Sequence, residues 1–109
     1  MTEEVRMAEF VTVGRADEIT EGEAKAFPVN GQEIAVSRVS GALYGFSDIC
    51  THRQCNLSLG GEIEGTSITC ECHGSTFDMT TGAVLEGPAT EPVATFPVRE
   101  ENGELLIEA

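Results

Sequence analysis

Residues 50–74 read CTHRQCNLSLGGEIEGTSITCECHG, and this stretch contains all four cysteines and both histidines of the 109-residue chain. These residues fall into two short boxes, Cys50-Thr51-His52 with Cys55 just behind it, and Cys70-Glu71-Cys72-His73. Thiolate and imidazole are the side chains that bind soft and borderline metals best. Because the chain keeps them only where two short boxes converge, we expect it to be built around a metal centre.

Three kinds of site compete for these six side chains. A structural zinc site would use Cys₂His₂ ligation, but zinc fingers usually pair cysteine with cysteine and histidine with histidine, whereas each box here contains both types. Disulfides between all four cysteines would leave both histidines unexplained and suit a secreted chain better. The third possibility is a [2Fe–2S] centre with two cysteines on one iron and two histidines on the other.

The spacing of the two boxes resembles the signature of the Rieske family. Cys-x-His, then Cys-x-x-His-Gly after a spacer of 17 residues, is carried here by Cys50-Thr51-His52 and Cys70-Glu71-Cys72-His73-Gly74. Phe77-Asp78 follows the second box as in many members, and Gly87-Pro88 lies where the family closes a proline loop over the cluster. The resemblance implies that one [2Fe–2S] cluster is bound, with the buried iron on Cys50 and Cys70, the outer iron on His52 and His73, and Gly74, Ser75, Phe77 and Pro88 around it.

Cys55 and Cys72 form a second pair of cysteines. Rieske subunits of quinol-oxidising complexes carry a disulfide at matching positions, so this resemblance implies a Cys55–Cys72 disulfide between the two boxes. Closing a loop of this length would stabilise the fold by roughly 3 kcal/mol. Many ferredoxins of the family lack the pair, and disulfides are rare in the cytoplasm, so two small buried thiols are the alternative.

Composition and turn signals predict an all-β chain. Glycine occurs 12 times, tryptophan is absent, and no segment shows a sustained apolar repeat of 3.6 residues. A meander is expected in the first 46 residues, since Asn30-Gly31 is a strong hairpin signal and Ser40-Gly41 turns the chain again. The predicted strands are residues 9–13, 25–29, 33–39, 42–46, 67–69, 83–85, 93–98 and 104–107, with one helical turn at 15–19.

The resemblance also implies a fold and a domain organisation. It implies a single Rieske domain over residues 1–109, with an antiparallel β-sandwich or barrel-like base formed by residues 1–46 and 83–109. A cluster-binding subdomain of two loops is expected to be inserted at about residues 47–82.

The net charge of −13, with only six basic residues, makes nucleic acid and anionic lipid surfaces poor partners. A field of this sign would steer a partner with a basic docking surface. The chain contains no run of 18 apolar residues, so no membrane span is expected. Residues 1–6 lack the basic start and apolar stretch of a secretory signal, which predicts a cytoplasmic protein.

The resemblance therefore predicts a soluble one-electron carrier, a monomer that is not itself an enzyme. It would pass electrons from a flavin-dependent ferredoxin reductase to a terminal oxygenase, often one that acts on aromatic rings. The alternative is a small electron-relay subunit of a larger oxidoreductase, such as a nitrite reductase or a molybdenum enzyme. A structural zinc module that mediates interactions is the third hypothesis.

Three residues near the second box predict an intermediate reduction potential. Ser75 stands where high-potential members place a serine that donates to a cluster sulfur, which raises the potential. Phe77 stands where those members use a tyrosine, so the second hydroxyl donor is missing. Glu71 replaces a common proline and adds a negative charge, which opposes reduction. Voltammetry should therefore give a value between those of plain ferredoxin-type members and quinol-oxidising ones.

Overall fold

The computed structural model describes residues 10–52 and 55–109. The sequence-based expectations about residues 1–6 and Glu9 lie outside the described residues. The described chain consists of short strands in three antiparallel sheets and one 3-10 turn, which confirms the predicted all-β class. The strands are β1 (Phe10–Arg15), β2 (Ala24–Val29), β3 (Gln32–Val39), β4 (Ala42–Ser47), β5 (Glu62–Glu64), β6 (Ser67–Thr69), β7 (Thr76–Asp78), β8 (Val84–Glu86), β9 (Thr95–Phe96), β10 (Val98–Glu101) and β11 (Glu104–Glu108), with the 3-10 turn at Ala16–Glu18.

The three sheets have the strand orders β1-β11-β10, β2-β3-β4-β9 and β5-β6-β7-β8. The predicted Asn30-Gly31 hairpin is confirmed, because Val29 pairs with Gln32 across it. Both turn residues have positive φ, 50° for Asn30 and 80° for Gly31, as a tight two-residue hairpin turn requires. The second predicted turn, at Ser40 and Gly41, uses the same backbone conformation and joins β3 to β4.

The expectation that the first strand belongs to the N-terminal meander is wrong. β1 pairs with β11 at the other end of the chain, from Phe10 opposite Glu108 to Arg15 opposite Glu104, with a register shift between Thr12 and Gly14. Turn signals report pairing between strands that are adjacent in sequence. They contain no information on a strand that closes a sheet with a partner some ninety residues away.

The single strand predicted at residues 93–98 is also wrong, because the chain divides it between two sheets. β9 pairs with β4, and β10 pairs with β11. Pro97 lies between them and has no N–H to donate to a ladder, which is why proline usually marks the end of a strand or an edge. The chain changes sheet at this residue.

The third sheet contains two strands that the sequence reading left out, β5 and β7. Each has only three residues, too short for an alternating pattern to stand out. β8 pairs with β7, so this strand lies in the third sheet beside the two boxes. The division into a base and an inserted part stays a prediction. Residues 84–86 were assigned to the base, but their strand pairs with β7 of the inserted part.

β3 lies between two groups of buried side chains. Its side chains alternate in direction, as strands require. Ala35 therefore faces one group, which we call the ligand-side core, while Ile34 and Val36 face the other, the base core. The ligand-side core comprises Ala35, Phe46, Cys50, Leu57, Ile68, Cys70, Phe77, Met79, Ala89 and Val93, and the base core comprises Ala16, Ile19, Phe27, Val29, Ile34, Val36, Leu105 and Ile107.

Candidate metal centre

Each box lies in a loop between two strands. Ligand loop 1 (residues 48–61) joins β4 to β5 and carries Cys50, His52 and Cys55. Ligand loop 2 (residues 70–75) joins β6 to β7 and carries Cys70, Cys72 and His73. Because β6 and β7 pair directly, loop 2 is the connection of a tight hairpin, whereas loop 1 crosses from one sheet to another.

The two cysteines of the predicted ligand set lie inside the protein. Cys50 is 3% exposed and Cys70 is 2% exposed, and both belong to the ligand-side core. The Cys50 sulfur lies close enough to raise the pKa of the Cys70 thiol. The structure therefore places one sulfur from each loop in the ligand-side core.

The two histidines lie outside this sulfur pair, towards the surface. His73 is exposed and His52 is half-buried. Their ring centroids are 5.0 Å apart, with the ring planes at 79°. The structure therefore places two thiols beneath and two imidazoles above, one of each from each loop.

One ring nitrogen at this site has no partner. His52 Nδ1 is buried and makes no hydrogen bond to any described residue. A buried polar atom without a partner costs free energy, so its occurrence in a folded protein requires an explanation. A metal bound at Nδ1 would supply the missing interaction, and the donor set of two thiols and two imidazoles fits a Rieske-type [2Fe–2S] cluster.

Several neighbours shift the pKa of the Cys70 thiol in opposite directions, with a net rise. Burial raises the pKa of the Cys70 thiol, and the neighbouring Cys50 sulfur raises it further, while the backbone N–H groups of Cys72 and His73 hydrogen-bond to the sulfur and lower it. Metals bind the thiolate form, so loading such a site releases protons. The N–H groups aimed at the sulfur would then stabilise the added charge of a reduced cluster.

The arrangement argues against a single zinc ion. In tetrahedral Zn–thiolate sites, Zn–S bonds of about 2.3 Å place the ligand atoms about 3.8 Å apart. Among the described residues, the one set of three or more metal-binding atoms within 4.8 Å of one another is Cys55, Cys70 and Cys72. Two of these are joined to each other, and the four predicted ligands do not form one compact set. A centre with two metal ions fits the separation better.

Cys55 and Cys72 form a disulfide, as the sequence analysis predicted. Their Cα atoms are 6.5 Å apart, and they close a loop with a sequence separation of 17. The bond joins ligand loop 1 to ligand loop 2 directly beside Cys70. The two boxes are thus covalently connected next to the metal-binding atoms.

A third loop, which we call the proline loop (residues 87–94), contacts both ligand loops through hydroxyl groups. Thr51 Oγ1 donates to the carbonyl oxygen of Glu91 at 2.6 Å, and the backbone N–H of Ala89 donates to Ser75 Oγ at 3.0 Å. Pro88 follows a cis peptide bond in this loop. The sequence did not predict this contact of Thr51 with the proline loop, because Thr51 was read only as the spacer between Cys50 and His52.

The predicted neighbours of the second box take different positions. Ser75 and Phe77 are fully buried, and Phe77 packs in the ligand-side core. Gly74 has a φ of 84°. The exposed Glu71 side chain folds back over Gly60, occupying the space where a side chain at that position would begin. Glu71 therefore reaches across to loop 1.

Comparison with known proteins agrees with the donor set of two thiols and two imidazoles. The chain matches the Rieske [2Fe-2S] domain over residues 9–97. It is 38% identical to the ferredoxin component of the naphthalene 1,2-dioxygenase/salicylate 5-hydroxylase systems of Ralstonia sp. over 91 residues, which is 84% of this chain and 86% of that one.

Solved structures are similar over nearly the whole length. The ferredoxin of carbazole 1,9a-dioxygenase from Nocardioides aromaticivorans superimposes with a TM-score of 0.86 at 30% identity, covering 93% of this chain and 98% of that one. A chain from a complex of reduced oxygenase and oxidised ferredoxin in carbazole 1,9a-dioxygenase gives a TM-score of 0.82 at 31% identity, with coverage of 91% and 92%.

Proposed function

The chain belongs to the Rieske [2Fe-2S] domain family, and we propose that it carries single electrons from a flavin-dependent ferredoxin reductase to a terminal, aromatic-ring oxygenase. It is an electron-transfer component of an oxygenase system rather than the catalytic enzyme. The observation that carries this proposal is the pair of imidazoles, one exposed and one half-buried, that lie 5.0 Å apart outside two buried thiols.

The proposed ligands have distinct tasks. Cys50 and Cys70 would hold the buried iron, and His52 and His73 the outer one. When bound, such a cluster takes up and releases one electron at a time, and neutral imidazoles in place of thiolates raise its potential to between about −150 and +300 mV. The His73 ring is exposed, so a partner's redox group would approach the centre from this side.

The exposed surface favours a carrier that docks briefly over a permanent subunit. Among the residues that the structure describes, the exposed large hydrophobic side chains are Val11, Leu59 and Leu85. Three such side chains fall short of the large apolar patch that an obligate interface buries. The net charge of −13 suits a partner with a basic docking surface.

We propose further that the protein is a cytoplasmic monomer. No helix within residues 10–52 and 55–109 is long and apolar enough to cross a membrane. The proposal of a cytoplasmic location rests on the similarity to ferredoxin components of dioxygenase systems.

The test has two steps. The purified chain should be red-brown and give the electron paramagnetic resonance (EPR) spectrum of a reduced Rieske cluster, whereas a zinc protein would be colourless. The reduced chain is then mixed with a terminal oxygenase of an aromatic-ring dioxygenase system, and reoxidation is followed by stopped flow. We expect the oxygenase to speed reoxidation, and added salt to slow it, because salt screens attraction between an acidic and a basic surface.

Each step can contradict a different part of the proposal. A colourless chain with bound zinc would refute the cluster. A chain that carries the cluster but reoxidises no faster with oxygenase than without it would refute the role in an oxygenase system. A basic protein without a redox group, such as lysozyme, serves as the control for non-specific charge effects.

A further inference from the structure

A buried carboxylate lies at the start of ligand loop 1. Asp48 is 0% exposed, although aspartate is among the residues least often found fully buried. It is two residues from Cys50 in sequence but was not singled out from the sequence. Its burial requires partners that replace water, because an unsatisfied buried carboxylate would be strongly destabilising.

Three donors from the far end of the same loop satisfy this carboxylate. Oδ1 accepts the backbone N–H of Ser58 at 2.7 Å, and Oδ2 accepts Ser58 Oγ at 3.0 Å and Asn56 Nδ2 at 2.7 Å. The main chain of Asp48 adds two more bonds, since its N–H donates to the Glu33 carbonyl at 2.9 Å and its carbonyl accepts the N–H of Leu57 at 2.6 Å. One residue therefore joins both ends of the loop and ties them to β3.

The segment closed in this way contains the predicted ligands of loop 1. Inside the Asp48–Ser58 closure, Ile49 and Asn56 form a bridge, and the N–H of Cys50 donates to the Cys55 carbonyl at 2.9 Å. These contacts form a short ladder that begins at the carboxylate and ends at the ligand. The direction of the Cys50 side chain therefore depends on the closure.

We propose that Asp48 is a positioning residue of the metal centre, whose carboxylate holds Cys50 and His52 in the geometry that a [2Fe–2S] cluster requires. This inference rests on the proposed function, because it presumes that the chain carries the cluster. A carboxylate suits the task because hydrogen bonds to a charged acceptor are stronger than neutral ones. It also accepts from three donors at once, whereas an amide in its place offers one oxygen.

The chain contains a matched control. Asp78 also accepts from nearby donors, Thr80 N at 2.8 Å and Thr80 Oγ1 at 2.6 Å, and these bonds lower its pKa. It caps the turn between β7 and β8 and forms no side-chain hydrogen bond to either ligand loop within the described residues. Asp48→Asn and Asp78→Asn thus each replace a hydrogen-bonded carboxylate by an amide, the first at a buried position in ligand loop 1 and the second at a half-buried position outside both ligand loops.

The experiment compares the two variants with the unmodified chain, all loaded with cluster. The measurements are the EPR g values, the reduction potential and the rate at which a chelator removes iron. Asp48→Asn should shift the g values and speed iron release by about 10- to 100-fold, in line with the loss of metal affinity that follows replacement of residues that orient metal ligands. Asp78→Asn should leave the g values and the release rate unchanged and lower only the thermal midpoint.

The proposal is overturned if Asp48→Asn keeps the g values and release rate of the unmodified chain and loses only thermal stability. If Asp48→Asn does not fold, Ser58→Ala replaces it, because this variant removes one hydroxyl donor and leaves the backbone N–H bond. Ser58→Ala should then shift the g values and release rate in the same direction, and unchanged values overturn the proposal. An unmodified chain without any Rieske spectrum would instead refute the proposed function itself.

Discussion

The two ligand loops reach the same centre by different means. Ligand loop 2 is six residues long and is closed by its own backbone, with the N–H of Cys70 bonded to the Ser75 carbonyl at 2.7 Å and the N–H of Gly74 to the Cys70 carbonyl at 3.1 Å. Ligand loop 1 is more than twice as long, and the side chain of Asp48 closes it in addition to backbone bonds. Each nevertheless supplies one cysteine and one histidine.

The difference follows from the strands that each loop connects. β6 and β7 are paired neighbours, so a short turn joins them and backbone bonds suffice. β4 and β5 belong to different sheets, so loop 1 crosses from one sheet to another instead of turning within one. A polar anchor inside the protein and the disulfide to loop 2 compensate for that length. Four predictions test this comparison, in order of decreasing effect.

The largest effect should come from the ligand cysteines, and it should be equal in the two loops. Cys50→Ser in loop 1 and Cys70→Ser in loop 2 should each abolish the visible absorption of the cluster, because each removes one of the two proposed sulfur ligands. Iron content and absorption spectra of the purified variants check this. Cys55→Ser is the matched control and should keep the cluster. Loss of the cluster in Cys55→Ser would contradict the division into ligand and disulfide cysteines.

The disulfide should give the next largest effect, because it joins the longer loop to the shorter one. The double variant Cys55→Ser/Cys72→Ser should lose about 3 kcal/mol in free energy of unfolding, the value for a closed loop of this length. Urea denaturation with and without dithiothreitol provides the measurement. The unmodified chain should approach the variant when dithiothreitol is added, while the variant should not respond. If dithiothreitol lowered the stability of both the unmodified chain and the variant, its effect would not be due to reduction of this disulfide.

Substitutions of two glycines should be destabilising for different reasons. Gly74 in loop 2 is required for its backbone conformation, and Gly61 in loop 1 is required because a side chain would not fit. Gly74→Ala should cost about 1–2 kcal/mol because its φ of 84° is left-handed, although the space around it is open. Gly61→Ala should be destabilising for another reason, since its Cβ would meet the Leu57 carbonyl oxygen. Denaturation of the asparagine variants distinguishes the two cases. Asparagine tolerates positive φ. Gly74→Asn should therefore destabilise the protein less than Gly74→Ala, whereas Gly61→Asn should destabilise it at least as much as Gly61→Ala.

The smallest effect should be a lower reduction potential in Ser75→Ala with the cluster retained. Ser75 Oγ accepts from Ala89, which leaves its own O–H free to donate to a cluster sulfur and raise the potential. The Thr51 hydroxyl is engaged with Glu91, so Thr51→Val should leave the potential unchanged. Voltammetry of both variants checks this. Equal shifts would mean that the proline loop, rather than a hydroxyl donor, sets the potential.

Much of the site could be predicted from the sequence because its signals are local. The Cys-x-His and Cys-x-x-His motifs each lie within three or four consecutive residues. The Asn30-Gly31 turn likewise depends on two adjacent residues with positive φ. The contacts of Asp48 and Thr51 could not be predicted in this way. An aspartate or threonine beside a ligand reads equally well as exposed loop, since its partner becomes apparent only when the loop is folded.

What the sequence by itself determined is the set of metal-binding side chains, because the identity and spacing of thiols and imidazoles restrict which metals can bind. The resemblance to the Rieske signature then selected the [2Fe–2S] cluster among the three kinds of site. The tertiary structure alone decided how strands distant in sequence pair and which polar groups are buried. It placed β1 against β11, moved the chain between sheets at Pro97, and enclosed Asp48 with donors from residues 56 and 58. These outcomes depend on contacts between distant segments, whose free energy is set by burial and mutual satisfaction of polar groups rather than by any local pattern.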